Sequence, residues 1–157
     1  MQHQYATFYL GDGMFAVNVL LVQEINRNLE ITNVDPSPDF VIGLMNLRGQ
    51  IVTILDLGVR LGLEKQQRGY GSCCVILKTN ADIKLLDAIN DVNGQTSEDI
   101  VGLLVDNVGD MIEVEDSEIE KPPANVNGVE SVYLRGVIKR DEQLVALMDM
   151  RRILEIS

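Results

Sequence analysis

Few side chains in this sequence have the types and spacing that catalysis requires. The one histidine, His3, lies near the start, where chains fray, so a Ser/His/Asp or Cys/His mechanism has no ordered base. Cys73 and Cys74 are adjacent, and the sequence has no spaced Cys or His ligands for zinc. No G-x-x-x-x-G-K-[ST] occurs, and no G-x-G-x-x-G follows a strand and opens a helix. The sequence therefore predicts no catalytic residues, no metal site and no cofactor.

Acidic residues are abundant, but their pattern is typical of structure more than of chemistry. The stretch Glu113–Glu118 lacks the D-x-[DN]-x-[DN]-G calcium loop. Its acids alternate with apolar residues, as in a strand with one solvent-exposed face. Asp56 and Asp149 each follow an apolar run and precede a short helical segment. A carboxylate in that place caps the helix N-terminus, so we expect two caps and no acid/base pair.

Two further acids and two arginines stand at corresponding places. Glu24 follows Val22 by two residues as Asp110 follows Val108, and Leu-Arg-Gly occurs at 47–49 and at 134–136. The pattern fits either a duplicated structural ion pair or an exposed recognition charge. Gly49 and Gly136 are expected to form hairpin turns.

Charge excludes several classes of partner. The 157 residues carry 13 bases and 24 acids, a net charge of −11, and 8 of the acids and 7 of the bases precede residue 85. Without a basic cluster, binding to nucleic acid or to an anionic membrane surface is not expected. No leader and no membrane-length apolar run is recognisable, and the adjacent cysteines suit a reducing cytosol. The imbalance predicts an acidic outer face on the second half of the molecule.

Short apolar runs separated by turn signals predict an all-β protein built of small barrels or a sandwich. The predicted strands are Tyr5–Leu10, Met14–Val19, Gln50–Leu55, Cys73–Lys78, Ile100–Val105, Met111–Val114, Ser131–Lys139 and Gln143–Met148. Short helical turns are predicted within Pro38–Asn46, Leu57–Leu63 and Met150–Leu154. Residues 81–99 form an insertion whose apolar stripe (Ile83, Leu86, Ile89, Val92) indicates a helix capped by Asn80.

An internal repeat organises the rest of the chain. Val22 and Val108, like Pro36 and Pro122, are 86 residues apart, the Leu-Arg-Gly triplets 87, and Asp56 and Asp149 93. Two copies of one unit of roughly 60 to 70 residues would each bury too little surface alone, so we expect them to pack together.

The residues of the first copy resemble a known family. The run from Phe40 to Leu57, FVIGLMNLRGQIVTILDL, is similar to the signature of the chemotaxis coupling protein (CheW) family, and flanking segments follow in family order over about residues 5–154. The resemblance implies two SH3-like five-stranded β-barrels on a shared core, with short helices. We expect a first barrel at about 14–80 and a second formed by 5–13 plus 100–157.

The resemblance also implies a non-enzymatic, cytoplasmic adaptor that joins the cytoplasmic hairpin of methyl-accepting chemoreceptors to the regulatory domain of the histidine kinase CheA at membrane receptor arrays. The expected receptor-binding residues are Val22, Glu24, Gly43, Asn46, Arg48, Gly102, Val108 and Met111. The expected kinase-binding residues are Gln50 and Val52.

Alternatives remain open at this point. The adaptor could serve a pilus or surface-motility system instead of flagellar chemotaxis. A small-molecule-binding double barrel, or an enzyme using Asp56 and Asp149, is the other reading. The same domain occurs inside kinases and beside receiver domains, but a 157-residue chain starting at Met1 favours the stand-alone adaptor.

Overall fold

The computed structural model describes residues 2–34, 38–65, 69–85 and 96–155. The strands are β1 (Gln2–Leu10), β2 (Gly13–Asn18), β3 (Val22–Asn26), β4 (Thr32–Asn33), β5 (Val41–Leu47), β6 (Gln50–Asp56), β7 (Cys73–Leu77), β8 (Val101–Val105), β9 (Asn107–Glu115), β10 (Asn125–Val126), β11 (Val129–Glu130), β12 (Leu134–Arg140) and β13 (Gln143–Met148). The helices are α1 (Leu57–Arg60), α2 (Asn80–Leu85) and α3 (Met150–Ile153), and 3-10 turns lie at Val19–Leu21, Asp116–Glu118 and Ser131–Tyr133.

Most strands belong to two larger sheets. One has the order β12-β13-β2-β1-β9 and the other β3-β7-β8-β6-β5-β4, while β10 and β11 form a separate hairpin. The mainly β class is confirmed. The predicted division of the chain is wrong at two strands, because β2 pairs with β13 in the second unit and β8 pairs with β6 in the first. The second unit thus contains β1 and β2 from the first half of the sequence, and the first unit contains β8 from the second half.

The two halves repeat with a constant spacing along their central hairpin. β5 and β6 are bulged between Val41 and Gly43, and β12 and β13 are bulged between Leu134 and Gly136, 93 residues later. The 87-residue match of the Leu-Arg-Gly triplets is therefore wrong. Gly136 forms no turn, because it lies in β12, where an added Cβ would stand 2.6 Å from Ile119 Cγ2.

The edge strands β3 and β9 repeat with the spacing of 86 residues. Val22 pairs with Leu77 before a bulge that brings Glu24 opposite Ile76. In the second sheet Val108 pairs with Phe8, and the bulge there lies between Ala6 and Phe8. The predicted offset of 86 therefore relates β3 to β9. Pro36, which the repeat matches with Pro122, lies outside the described residues.

The core has three parts, one shared between the sheets and one inside each barrel. Phe8, Phe15 and Val17 of one sheet join Val75 and Leu103 of the other in a single buried cluster. Smaller clusters contain Ala16 and Leu147 in one barrel and Val52 and Ile54 in the other. Strands β7 and β8 are buried at every residue because one face meets the shared core and the other a barrel interior. Both cysteines are buried there as free thiols.

The two aspartate caps are confirmed. Asp56 Oδ1 accepts the Val59 amide at 3.2 Å, and Asp149 Oδ1 accepts the Arg152 amide at 3.3 Å. The backbone amides of the two aspartates donate to the carbonyls of Phe40 and Tyr133, which are themselves 93 residues apart. Each cap therefore fixes a short helix onto the start of its own hairpin.

Two helix predictions are wrong. The helical turn predicted within Pro38–Asn46 is not formed, since residues 41–46 lie in β5 and pair with β6. Asn80 lies inside α2, and Thr79 is its cap: the Thr79 hydroxyl accepts the Asp82 amide, and Asp82 Oδ2 accepts the Thr79 amide. Asn80 instead accepts the Thr96 amide at 2.8 Å and so fastens the two ends of the insertion. Leu86, Ile89 and Val92 lie outside the described residues.

Arg60 connects the two units by hydrogen bonds and cation–π contacts. Its Nε donates to the Ile153 carbonyl at 2.7 Å and its Nη2 to the Glu155 carbonyl at 3.2 Å. Its Cζ lies 5.3 Å from the ring centroid of Phe40 and 5.2 Å from that of Tyr133. A cation thus sits between two equivalent aromatic rings at the C-terminal end of α3, whose free carbonyls favour it.

Replacing Arg60 by alanine should lower the free energy of unfolding by about 2 kcal/mol, from two cation–π contacts and the charge-assisted hydrogen bonds. Arg60→Lys should recover little of this loss, because an ammonium lacks the planar fork. Arg151→Ala, at an exposed position of α3, is the matched control. Chemical denaturation measures the difference, and equal stabilities of the two alanine variants would contradict this role of Arg60.

Candidate functional site

The most unusual backbone of the first barrel is at Arg48. Leu47 pairs with Gln50, so Arg48 and Gly49 form a two-residue turn, with φ of 51° and 86°. Asn46 Oδ1 supports the turn by accepting the Gly49 amide at 2.9 Å. Glycine or asparagine would adopt positive φ at lower free energy than arginine. The corresponding turn of the second barrel, at Asp141 and Glu142, also has positive φ, so the conformation is shared by the two hairpins and the guanidinium belongs to the first alone.

Glu24 orients that guanidinium. Arg48 Nη2 contacts Glu24 Oε1, and Nη1 lies 3.4 Å from Oε2. The hydrogen bond to Glu24 and its charge raise the pKa of Arg48. The pair closes the first barrel, since β3 and β5 lie at opposite sides of the sheet, yet the Arg48 side chain remains 67% exposed. It is thus available to a partner.

Val22, Val108 and Met111 supply the apolar part of the predicted receptor site. Val22 and Val108 are half-buried and pack against the shared core from the equivalent edge strands β3 and β9. Met111, on β9, is 62% exposed. Glu24 and Arg48 are directly joined, and the two valines share one core. That all five line a single groove remains a prediction.

Gly43 and Gly102 were predicted to bind the receptor, but both are buried. A Cβ on Gly43 would stand 2.0 Å from the Thr32 carbonyl oxygen, so glycine lets β4 approach β5. A Cβ on Gly102 would stand 2.9 Å from the Cδ1 atoms of Ile54 and Ile76. Both glycines shape the barrel and do not present a surface.

Of the two predicted kinase-binding residues, Gln50 is exposed, but Val52 is wholly buried inside the first barrel and cannot touch a partner. Sequence reasoning missed its exposed neighbours: Ile51 is 58% and Leu44 37% exposed. The alternation of side chains along β6 was the available signal, because Val52 and Ile54 point inward and Ile51 must then point outward.

Of the two alternatives for the matched acids and arginines, the duplicated ion pair fails in the second half of the described chain. Among the described residues no ion pair joins Arg135 to Asp110, whose carbonyl accepts the Thr7 hydroxyl. At the end of β12, Arg140 instead bonds the Glu113 carbonyl and pairs with Glu118. The duplicated-pair interpretation is therefore wrong for the second copy, where Arg135 is exposed but forms no ion pair with Asp110.

The remaining chemical candidates are occupied by structural roles. The Asp56 and Asp149 carboxylates each cap their own helix, which removes the observation behind an acid/base pair. No group of three His, Cys, Asp or Glu side chains suited to a metal ion occurs in the described part of the chain. Over the same residues, no helix combines the length and apolarity needed to cross a membrane.

Acids of the second half gather at one edge of its sheet. Asp110, Glu113 and Glu115 are exposed on β9, and Asp116 and Glu118 follow directly in the 3-10 turn. His3 Nε2 contacts Asp116 Oδ1 at 2.8 Å. The edge agrees with the predicted acidic outer face as far as residues 110–118 are concerned.

Comparison with known proteins identifies the architecture and the family. The family model for the CheW-like domain matches residues 4–157. This chain belongs to the CheW-like domain family. A probable chemotaxis protein CheW of Rhizobium etli is 30% identical over 146 residues, 93% of this chain and 83% of the relative. Chemotaxis protein CheW of Klebsiella aerogenes is 29% identical over 151 residues, 96% of this chain and 81% of the relative.

The fold of a solved CheW agrees with the sheets described above. The crystal structure of the scaffolding protein CheW from Thermoanaerobacter tengcongensis superimposes with a TM-score of 0.81, at 24% identity, over 100% of this chain and 95% of that one. The predicted pair of SH3-like barrels is confirmed by this match. Members of the CheW family are chemotaxis scaffolds and adaptors and not enzymes.

Because Val52 is buried and Ile51 is exposed, substitutions at the two positions should differ in their effect on stability. Val52→Ala should lower the free energy of unfolding by about 1 to 3 kcal/mol, because it removes buried methyl groups. Ile51→Ala should change it by about 0.5 kcal/mol or less, as exposed substitutions do. Urea denaturation compares the two, and a larger loss at position 51 would contradict the assignment of the inward face.

Proposed function

We propose that this chain is a signalling adaptor that binds the cytoplasmic hairpin of a chemoreceptor and the regulatory domain of a CheA-type histidine kinase. The observation that carries the proposal is the exposed Glu24–Arg48 pair at a turn with positive φ, within a CheW-family fold. The guanidinium at this turn is exposed and is oriented by Glu24, which favours a binding role for the side chain.

The proposed receptor site combines apolar anchors with a charged corner. Val22, Val108 and Met111 offer apolar surface of the kind that a helix covers with residues spaced by one turn. Arg48, oriented by Glu24, presents donors to a carboxylate or to the carbonyls of a helix end. Asn46 acts by holding the Arg48 turn. Gly43 and Gly102 act indirectly, by keeping the barrel closed.

The proposed kinase site is the outer face of β5 and β6, with Leu44, Ile51 and Gln50 on the surface and Val52 beneath. The second barrel supports this choice. Val137 and Leu144, the equivalents of Leu44 and Ile51 at an offset of 93, are buried or half-buried against the shared core. Residues 120–127 cover them. This segment starts at the β-bridge between Glu120 and Val137 and ends at Asn127, whose side-chain amide donates a hydrogen bond to the Leu144 carbonyl.

The first barrel leaves the same positions open: Leu44 is 37% and Ile51 58% exposed, although β4 pairs with β5 at Leu44. A domain of the same family, as the kinase regulatory domain is in this proposal, could cover this face barrel to barrel. Apolar exposure on an otherwise polar surface supports a protein partner. Such an adaptor would work in the cytoplasm, at receptor arrays.

The receptor proposal predicts that Arg48→Glu lowers affinity for a receptor cytoplasmic fragment at least tenfold, because it places two carboxylates together and removes the donors. Calorimetric titration measures the affinity. Arg151→Glu, an equal change of charge on exposed α3, should bind normally. The absence of binding by the unaltered protein to receptor and kinase fragments would contradict the proposed function itself.

The kinase proposal predicts that Ile51→Asp lowers affinity for the kinase regulatory domain at least tenfold while receptor binding stays unchanged. Arg48→Glu should show the opposite selectivity. Val132→Asp, which replaces another half-exposed apolar side chain, serves as the control. If Ile51→Asp lowered the affinity for both partners equally while its melting temperature stayed unchanged, the two sites would not be separate.

A pilus or surface-motility system would use the same two kinds of partner, and no residue of the described structure favours one pathway over the other. Titration of this chain with receptor fragments from each type of system distinguishes them. Tighter binding to one fragment assigns the pathway.

A further inference from the structure

A closed turn between α1 and β7 presents Tyr70, whose side chain is fully exposed. The Gly69 amide donates to the Ser72 hydroxyl at 2.9 Å, and the Ser72 amide donates to the Gly69 carbonyl at 3.1 Å. Ser72 is buried, and Gly71 lies against the start of β9, where an added Cβ would stand 2.8 Å from Asn107 Cγ. The backbone that carries Tyr70 therefore needs little further ordering on binding, which favours a role as an aromatic anchor.

A cavity of about 350 Å³ opens next to this turn. Asp106 belongs to both, because it lines the cavity and its carbonyl oxygen would stand 3.0 Å from a Cβ on Gly71. The other walls come from the β1–β2 turn, from residues in and after α1 and from the β10–β11 turn, so both units contribute. Leu10, which is buried, and Leu63, which is half-buried, supply apolar surface. Binding sites of this volume are common at the seam between two units.

The charged side chains of this cavity are all acidic. Asp12, Glu64 and Asp106 line it, and among the described residues no base does. Asp106 Oδ2 accepts the Gly11 amide at 2.6 Å, which fixes that carboxylate in the wall. The side-chain amide of Asn127 donates to two strand carbonyls at 3.1 and 3.2 Å, so these donors are already used. The lining therefore favours a group that brings both positive charge and hydrogen-bond donors.

The cavity and the Arg48 turn lie at opposite ends of β6. Arg48 and Gly49 precede the strand, whereas Gly58, which lines the cavity, follows it. A strand of seven residues spans about 20 Å. A ligand in the cavity therefore leaves Arg48 and Ile51 accessible to other partners.

We propose that Tyr70 and the cavity together bind an extended, arginine-containing segment of a partner protein. One guanidinium of the segment stacks on the Tyr70 ring, and another enters the cavity among the carboxylates of Asp12, Glu64 and Asp106. Arginine fits better than lysine, because its planar guanidinium both stacks on an aromatic ring and pairs with a carboxylate through two hydrogen bonds. This surface is additional to the proposed receptor and kinase sites and does not depend on them.

The test titrates the protein with a fluorescein-labelled tetra-arginine peptide at low salt and measures fluorescence polarisation. A tetra-citrulline peptide, which keeps the shape and the donors but has no charge, should bind at least about tenfold more weakly. Tyr70→Ala should lower affinity for the arginine peptide about fivefold, and Tyr70→Phe, which keeps the ring, should bind normally. Asp12→Asn/Glu64→Gln, at two exposed positions, should lower affinity about tenfold at low salt and less at high salt.

A matched control separates a site from general attraction to a protein whose net charge is −11. Glu113→Gln/Glu115→Gln removes the same charge from exposed positions at the far end of β9 and should leave peptide affinity nearly unchanged. If this control weakens binding as much as the cavity variant does, only net charge attracts the peptide and the inference is overturned. Equal binding of the citrulline peptide, unchanged affinity in Tyr70→Ala, or no binding of the arginine peptide by the unaltered protein would also overturn it.

Discussion

The rest of the structure depends on one interaction: the two sheets bury their facing sides against each other in a shared apolar core. Strands β7 and β8 lie in both a barrel interior and the shared core and are buried at every residue. Each unit also contains strands from the other half of the sequence, β1 and β2 in one case and β8 in the other. The two halves are therefore held together by strand pairing and by core packing. The hydrogen bond from Arg60 to the Ile153 carbonyl adds a polar contact between them.

A repeated scaffold with unequal surfaces explains how one small protein can hold different partners. The hairpins β5–β6 and β12–β13 share their bulges and their aspartate caps. The first carries the Arg48 turn and leaves Ile51 open, and the second turns at Asp141 and Glu142 and is covered. Function on this account lies in the differences between copies, because the similarities serve folding.

Sequence reasoning succeeded where local chemistry decides the structure. The Gly49 turn, the aspartate caps and the repeat of Val22 in Val108 are all readable from residue types and spacing. It failed where a distant partner decides. Residues 41–47 form a strand because β6 pairs with them, and Gly136 is needed for the approach of Ile119. One-letter periodicity does not contain those contacts.

The central claim is that one molecule holds two partners on separate surfaces, Arg48 with its groove and Ile51 with its hairpin face. The most direct measurement is the mass of the complex formed when this protein, a receptor hairpin fragment and a kinase regulatory domain are mixed and separated by size with light scattering. The account predicts a ternary complex containing all three. Formation of only the two binary complexes, with each partner displacing the other, would contradict it.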